Sequence, residues 1–247
     1  MSIFRKYILL CSCAIASNRL VDAQEPTSSL VVKFHDTHDL ADKERILGSL
    51  IKYGDDAGQQ LLRLAKTTND NDTRWLAIRG LGMLKFEQAA PFLIDSLQSD
   101  EHYVRANAAR ALAELRYSPA APALIRLLEG EQDAGVIEQT SLAMRMINAK
   151  DAIPVLKSRM SFDSVQTRCW LLDAIAGLGS REDVPFIAKY LYYGNDVGGI
   201  PLCAARAVAT LTGEDFGLPK ASGLFNPELP VSKARKWWEA QDRNDLK

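Results

Sequence analysis

Few side chains in this 247-residue chain are grouped as chemistry would require. The densest cluster is His35-Asp36-Thr37-His38-Asp39, two imidazoles interleaved with carboxylates. Such a set can ligate zinc, yet Asp and His are equally ordinary at turns and helix starts. His102, the third histidine, is far away in sequence, so a helix start is expected here and no metal is assigned. Asp55-Asp56 and Glu182-Asp183 are carboxylate pairs of the kind used in acid–base catalysis. Both precede apolar helical patterns, where capping accounts for them. Cys169 and Cys203 have no histidine near them in sequence. No glycine-rich phosphate loop, Gly-x-Ser-x-Gly elbow or His-Glu-x-x-His motif is present. The expectation is therefore no catalytic residue, no cofactor and no enzymatic activity.

What the sequence does specify is a repeated element. Residues 100–129 read as two helices joined by a tight turn, with Val104, Ala108, Ala111, Leu112 and Leu115 on one helical stripe. The last apolar residue of the first helix returns at Tyr53, Leu84, Leu115, Ile147, Leu178 and Leu211, every 31 to 33 residues. Four positions earlier stands a small residue each time: Ser49, Gly80, Ala111, Ala143, Ala174 and Ala207. Small side chains there let neighbouring helices approach closely. Proline keeps the same period at Pro91, Pro122, Pro154 and Pro185, each in the first turn of a second helix, where its missing amide has no intrahelical role. One such hairpin cannot cover its own apolar face, so neighbours must stack.

This pattern resembles the HEAT family of helical repeats, and most of all the short HEAT-like repeats first described in phycobilin lyases. The Asp-x-x-x-Val-Arg and Ala-x-x-Ala-Leu signatures are carried by Asp100, Val104, Arg105, Ala108, Ala111 and Leu112. The resemblance implies an all-α, right-handed α-solenoid (an α-α superhelix) of about six hairpins over residues 38–211, with a C-terminal cap helix. It also implies an arginine ladder between repeats, for which Arg74, Arg105 and Arg168 are in register. Ile137 and Pro201 stand at the equivalent places in the fourth and sixth repeats, so the ladder is expected to be interrupted.

The ends depart from the period. Arg5 and Lys6 precede an apolar run from Tyr7 to Ala16, and Val21-Asp22-Ala23 offers a small-residue cleavage site. This describes a secretory signal peptide over 1–23; the run is too short to cross a bilayer as a helix. Ala14 and Ala16 provide a second cleavage site, and lipid attachment at Cys13 is a further alternative. Loss of the segment removes Arg5, Lys6, Arg19 and Asp22, taking the net charge from −1 to −3. A nearly balanced charge exerts no global pull on nucleic acid or anionic lipid. An exported monomer, periplasmic or extracellular, is expected. Residues 24–37 are read as an N-terminal cap, either a lone second helix or an extended stretch. Residues 212–247 are a Gly/Pro-rich loop and a last helix bearing Trp237 and Trp238, similar to the tail closing many secreted bacterial HEAT-repeat proteins. The tryptophans fit either a hydrophobic lid or a partner anchor. Export permits a disulfide between Cys169 and Cys203. However, packed helix axes lie about 8–10 Å apart and a bridge needs Cα atoms within about 7 Å, so two buried thiols are expected.

The second helices of such a stack line its concave side. Their outward column runs Asp95, Arg126 and Lys157, with Arg159 and Lys189 nearby and Tyr190, Tyr192 and Tyr193 at the far end. Arg126, Lys157, Arg159, Lys189, Tyr190 and Tyr193 are the candidate contacts to a protein partner. A solvated face diluted by Asp95, Glu129 and Asp151 is the competing reading.

Overall fold

The computed structural model describes residues 25–162, 164–194, 199–218 and 226–242; the signal-peptide segment, Cys13, Asp163 and Gly198 lie outside them. In chain order, α1 spans Thr27–Asp36, α2 Leu40–Leu50, α3 Gly54–Thr67, α4 Asn71–Met83 and α5 Ala90–Ser96. Then come α6 (His102–Glu114), α7 (Ala121–Gly130), α8 (Ala134–Met146) and α9 (Ile153–Ser158). The last are α10 (Val165–Leu178), α11 (Val184–Ala188), α12 (Ile200–Thr212) and α13 (Glu228–Asp242). No strand occurs among the described residues.

Helices α2, α4, α6, α8, α10 and α12 form one layer, each packed on the next, and the second helices pack against the first helix that follows them. The fold is thus an α-solenoid. Its core is continuous from Leu30 in α1 to Ala234 in α13. The small-residue column lets the first helices approach closely. A β-carbon on Gly80 would fall 2.6 Å from Leu47 Cδ1 and 2.9 Å from Leu61 Cδ1, and Ala111, Ala143, Ala174 and Ala207 are all buried. Each periodic proline sits in the first turn of its second helix, after a short 3-10 entry at 87–89, 118–120, 150–152 or 181–183.

Helix starts follow local chemistry. Asp39 accepts from the Asp42 amide, Asp70 from Asp72 and Thr73, Asp133 from Val136, and Ser164 from Thr167. His35 and Asp36 pair with each other at 2.8 Å at the end of α1. Asp100 does not cap: Glu101 is the N-cap residue of α6 and no side chain accepts there. Asp100 is one residue too early to reach the first-turn amides.

Arginine at the ladder position turns back to a carbonyl six residues upstream. Arg74 donates to Thr68 O, Arg105 to Ser99 O at 2.8 Å, and Arg168 to Phe162 O. The expected interruption at Ile137 is bridged from elsewhere. Arg159 donates to Glu131 O, the carbonyl six residues before Ile137, while Arg105 grips the Glu131 carboxylate with two nitrogens at 2.7 and 3.0 Å. The first rung was not foreseen. Lys43, 31 residues before Arg74, is 2 % exposed and donates to Phe34 O, Asp70 and Thr73, tying α1 to the stack.

The expectation of two free thiols is overturned: Cys169 in α10 and Cys203 in α12 form a disulfide with Cα atoms 5.4 Å apart. The axis argument compared unlike distances. Each Cα lies about 2.3 Å off its helix axis, so residues facing each other across a contact sit far closer than the axes do.

The C-terminal helix closes the last repeat. Val231 and Ala234 are fully buried, and Trp237 packs edge-on against Phe216 at 6.0 Å. Arg235 donates to Leu191 O at 2.8 and 2.6 Å and lies over Tyr192. Trp237 and Trp238 therefore act as a lid, half-buried against the core.

Candidate functional site

The candidate contacts fall into two groups on the second-helix side. Arg126 of α7 is exposed and borders a notch of about 540 Å³ between α5 and α7. Ile94, Leu97, Ala123 and Leu127 make its apolar wall, and the Arg105–Glu131 pair closes one end. Glu131 is nearly buried. Burial alone would raise its carboxyl, but hydrogen bonds from Arg105 and from the Asp133 and Gln132 amides outweigh it and hold the pKa below the usual value. Arg105 is held above its usual value, chiefly by the same hydrogen bond.

The second group lies at the far end and is built on an aromatic chain. Phe186 and Tyr190 are one helical turn apart, with ring centroids 5.6 Å from each other, and Tyr193 continues the row at 6.2 Å. Lys157 Nζ stands 5.2 Å over Phe186 and the Arg168 guanidinium 4.7 Å over Tyr193. Cations over ring faces gain from the ring quadrupole. Lys157 also pairs with Asp183 at 2.6 Å. Desolvation pushes the Asp183 carboxyl up, but the Lys157 hydrogen bond and the Ser180 amide more than reverse it. Burial raises the Tyr190 hydroxyl pKa. Tyr193 is 46 % exposed and Tyr192 47 % exposed, so the end of the row faces solvent.

Lys157, Tyr190 and Tyr193 are therefore brought together, and Arg126 stands apart in its notch. Lys189 is exposed beside the row. Arg159 is drawn into the stack, donating to the Glu129 and Glu131 carbonyls with its plane against Phe162. Phe186 and Arg168 were missed as members of the face. The signal for Phe186 was available, since aromatics at 186, 190 and 193 share one helical stripe. Among the described residues no group of three or more His, Cys, Asp or Glu side chains could hold a metal ion. No helix of the described residues is long and apolar enough to cross a membrane.

The sequence model of HEAT repeats matches residues 58–145. The complex of CpcE and CpcF of phycocyanin lyase from Nostoc sp. PCC7120 shares the fold at TM-score 0.54 and 20 % identity, covering 86 % of this chain and 94 % of that one. An engineered protein superposes at TM-score 0.55 and 19 % identity, covering 76 % of this chain and 96 % of that one. No curated protein matches in sequence. Residues 58–145 thus match HEAT repeats by sequence, and the α-solenoid fold extends beyond them on both sides.

The likeness to a lyase complex also corrects the expectation that the chain is not an enzyme. That expectation rested on missing catalytic motifs. The same fold occurs in a phycocyanin lyase complex, so a solenoid without those motifs is no argument against catalysis.

Proposed function

We propose that this chain is an exported solenoid that holds a partner protein against its second-helix face. The observation that carries the reading is the row Phe186, Tyr190 and Tyr193, with Lys157 and Arg168 over its rings and its last tyrosine open to solvent. Rigid tyrosines and arginines are the residue types that dominate protein interfaces, and here packing pre-orders them. Arg126 and Lys189 add unburied positive charge, favouring a partner with acidic side chains beside apolar ones. Export is supported by the Cys169–Cys203 disulfide, which suits an oxidising compartment, together with the leader-like pattern at residues 1–23. Assembly with a second protein is in keeping with the two-protein phycocyanin lyase complex that shares the fold.

The test is a triple variant, Arg126→Glu, Lys189→Glu and Tyr193→Ala, used to pull down partners from the producing cell's envelope. A protein captured by the native chain should be lost by the variant while the helical circular dichroism is unchanged. Retention of that protein by the variant removes this face from consideration. Lys157 is left intact because a glutamate there would confront Asp183.

A second reading is favoured by the fold shared with phycocyanin lyase: the solenoid assists attachment of a phycobilin to a protein. Incubation with a phycobilin and an apo-phycobiliprotein should then give a covalent, coloured adduct; a colourless protein after denaturing electrophoresis eliminates it.

A further inference from the structure

A second cationic place lies at the edge of the stack where first helices end, away from the tyrosine row. It is a cleft of about 430 Å³ lined by Arg79, Lys85, Arg110 and Arg116, with Glu114 its one carboxylate and Met83 and Met146 among its apolar groups. Arg110 is paired with Glu114 at 3.0 Å, and Arg79 with Glu44 at 2.8 Å. Lys85 and Arg116 are exposed and have no ion-pair or hydrogen-bond partner for their side chains among the described residues. With Glu44 counted, two positive charges remain over.

The backbone supplies an independent reason to notice those two residues. Lys85 has φ 51° and Arg116 φ 52°, in the left-handed region. Each occupies the position just past a helix end at which the chain reverses. The Lys85 amide bonds Gly82 O at 2.8 Å and Phe86 bonds Leu81 O at 3.0 Å; Arg116 and Tyr117 repeat this with Ala113 O and Leu112 O. Glycine suits this place because a β-carbon there crowds the following carbonyl, and asparagine is tolerated because its short polar side chain can hydrogen-bond locally. The next repeat does use asparagine, Asn148, at φ 57°. Long cations thus stand against backbone preference at the two turns that border the cleft, and not at the third.

We propose that this cleft binds a small organic polyanion, a ligand bearing two phosphate or sulfate groups on a compact body. The two unpaired cations match two oxyanions. Arg79 and Arg110 supply fixed guanidinium donors, and Met83, 45 % exposed, offers apolar surface to the ligand's frame. The volume is in the range of small-molecule sites, about 300–1,000 Å³. The proposal does not depend on the second-helix face.

Isothermal titration of the full chain with fructose 1,6-bisphosphate and with a disulfated heparin disaccharide tests it. One or both should bind, less tightly as salt rises, and which one binds tells whether phosphate or sulfate is the source. Lys85→Gly with Arg116→Gly should weaken binding about tenfold or more while raising Tm, since glycine relieves both turns. Lys85→Arg with Arg116→Lys should keep the binding. Failure of both probes to bind, or undiminished binding by the glycine pair, overturns the site. A lowered Tm in the glycine pair overturns the premise that the cations are held there against strain.

Discussion

Lys43 Nζ lies 3.0 Å from Asp70 Oδ2, an ion pair between α2 and the N-cap of α4 that also engages the Thr73 hydroxyl and the Phe34 carbonyl. One buried ammonium thus joins the cap helix, the first repeat and the second. Replacing it with methionine keeps the volume but leaves the Thr73 hydroxyl and the Phe34 carbonyl without their donor. Lys43→Met is expected to cost about 1–3 kcal/mol, read as a lower urea midpoint. It should also speed amide exchange in α1.

The same pair sets an acid limit. Burial would raise the Asp70 carboxyl, but hydrogen bonds from Thr73 and Lys43 prevail and lower its pKa to about 2. Its unfolded value is near 3.9. A depressed carboxylate contributes stability above its unfolded pKa and loses it as pH falls through the folded one. The urea midpoint should therefore hold down to about pH 4 and fall between about pH 4 and pH 2. In Lys43→Met that fall should be smaller; an equal fall would assign the acid transition to other carboxylates.

Among the pairs formed by the described residues, Arg105 and Glu131 are a deeply buried arginine–carboxylate pair, with side chains 17 % and 5 % exposed. Removing one partner of such a pair strands the other charge. Arg105→Gln should cost about 3–5 kcal/mol, more than Arg110→Gln, whose partner Glu114 can turn to water. Thermal denaturation of both variants checks the order.

The Cys169–Cys203 bridge closes a loop with a sequence separation of 34 residues. On the chain-entropy account such a loop is worth about 3–4 kcal/mol. Cys203→Ala, or reduction of the native protein, should lower the urea midpoint accordingly. Reductant should then have no further effect on the variant.

The layer itself is testable by contrast. Leu112 is fully buried in α6 and Asp95 is exposed on α5. Leu112→Ala should cost about 2–5 kcal/mol, and Asp95→Ala under about 0.5 kcal/mol. Equal losses in chemical denaturation would mean that the buried and open faces had been exchanged.

Much of the fold was legible because it is local and repeated. The column from Gly80 to Ala207 and the prolines from Pro91 to Pro185 report helix packing and helix entry directly, whatever the distant surroundings. The binding face was legible only in part. Arg126, Lys157 and Tyr193 could be placed on the second-helix side by their register. Whether each cation was free could not be read, because that depends on a partner about one repeat away. Arg159 is engaged by the Glu129 and Glu131 carbonyls, and Lys157 by Asp183. Sequence periodicity gives a residue's direction, whereas its pairing is decided across an interface.

From the amino-acid order alone followed the helical hairpins, their period and their stacking. Tertiary structure alone decided that Lys43 makes the first rung, that Arg159 bridges the gap at Ile137, and that Cys169 meets Cys203. The reason is physical: helix formation and amphipathic burial act over three or four residues, while these contacts are set by angstrom-scale approach between helices about thirty residues apart.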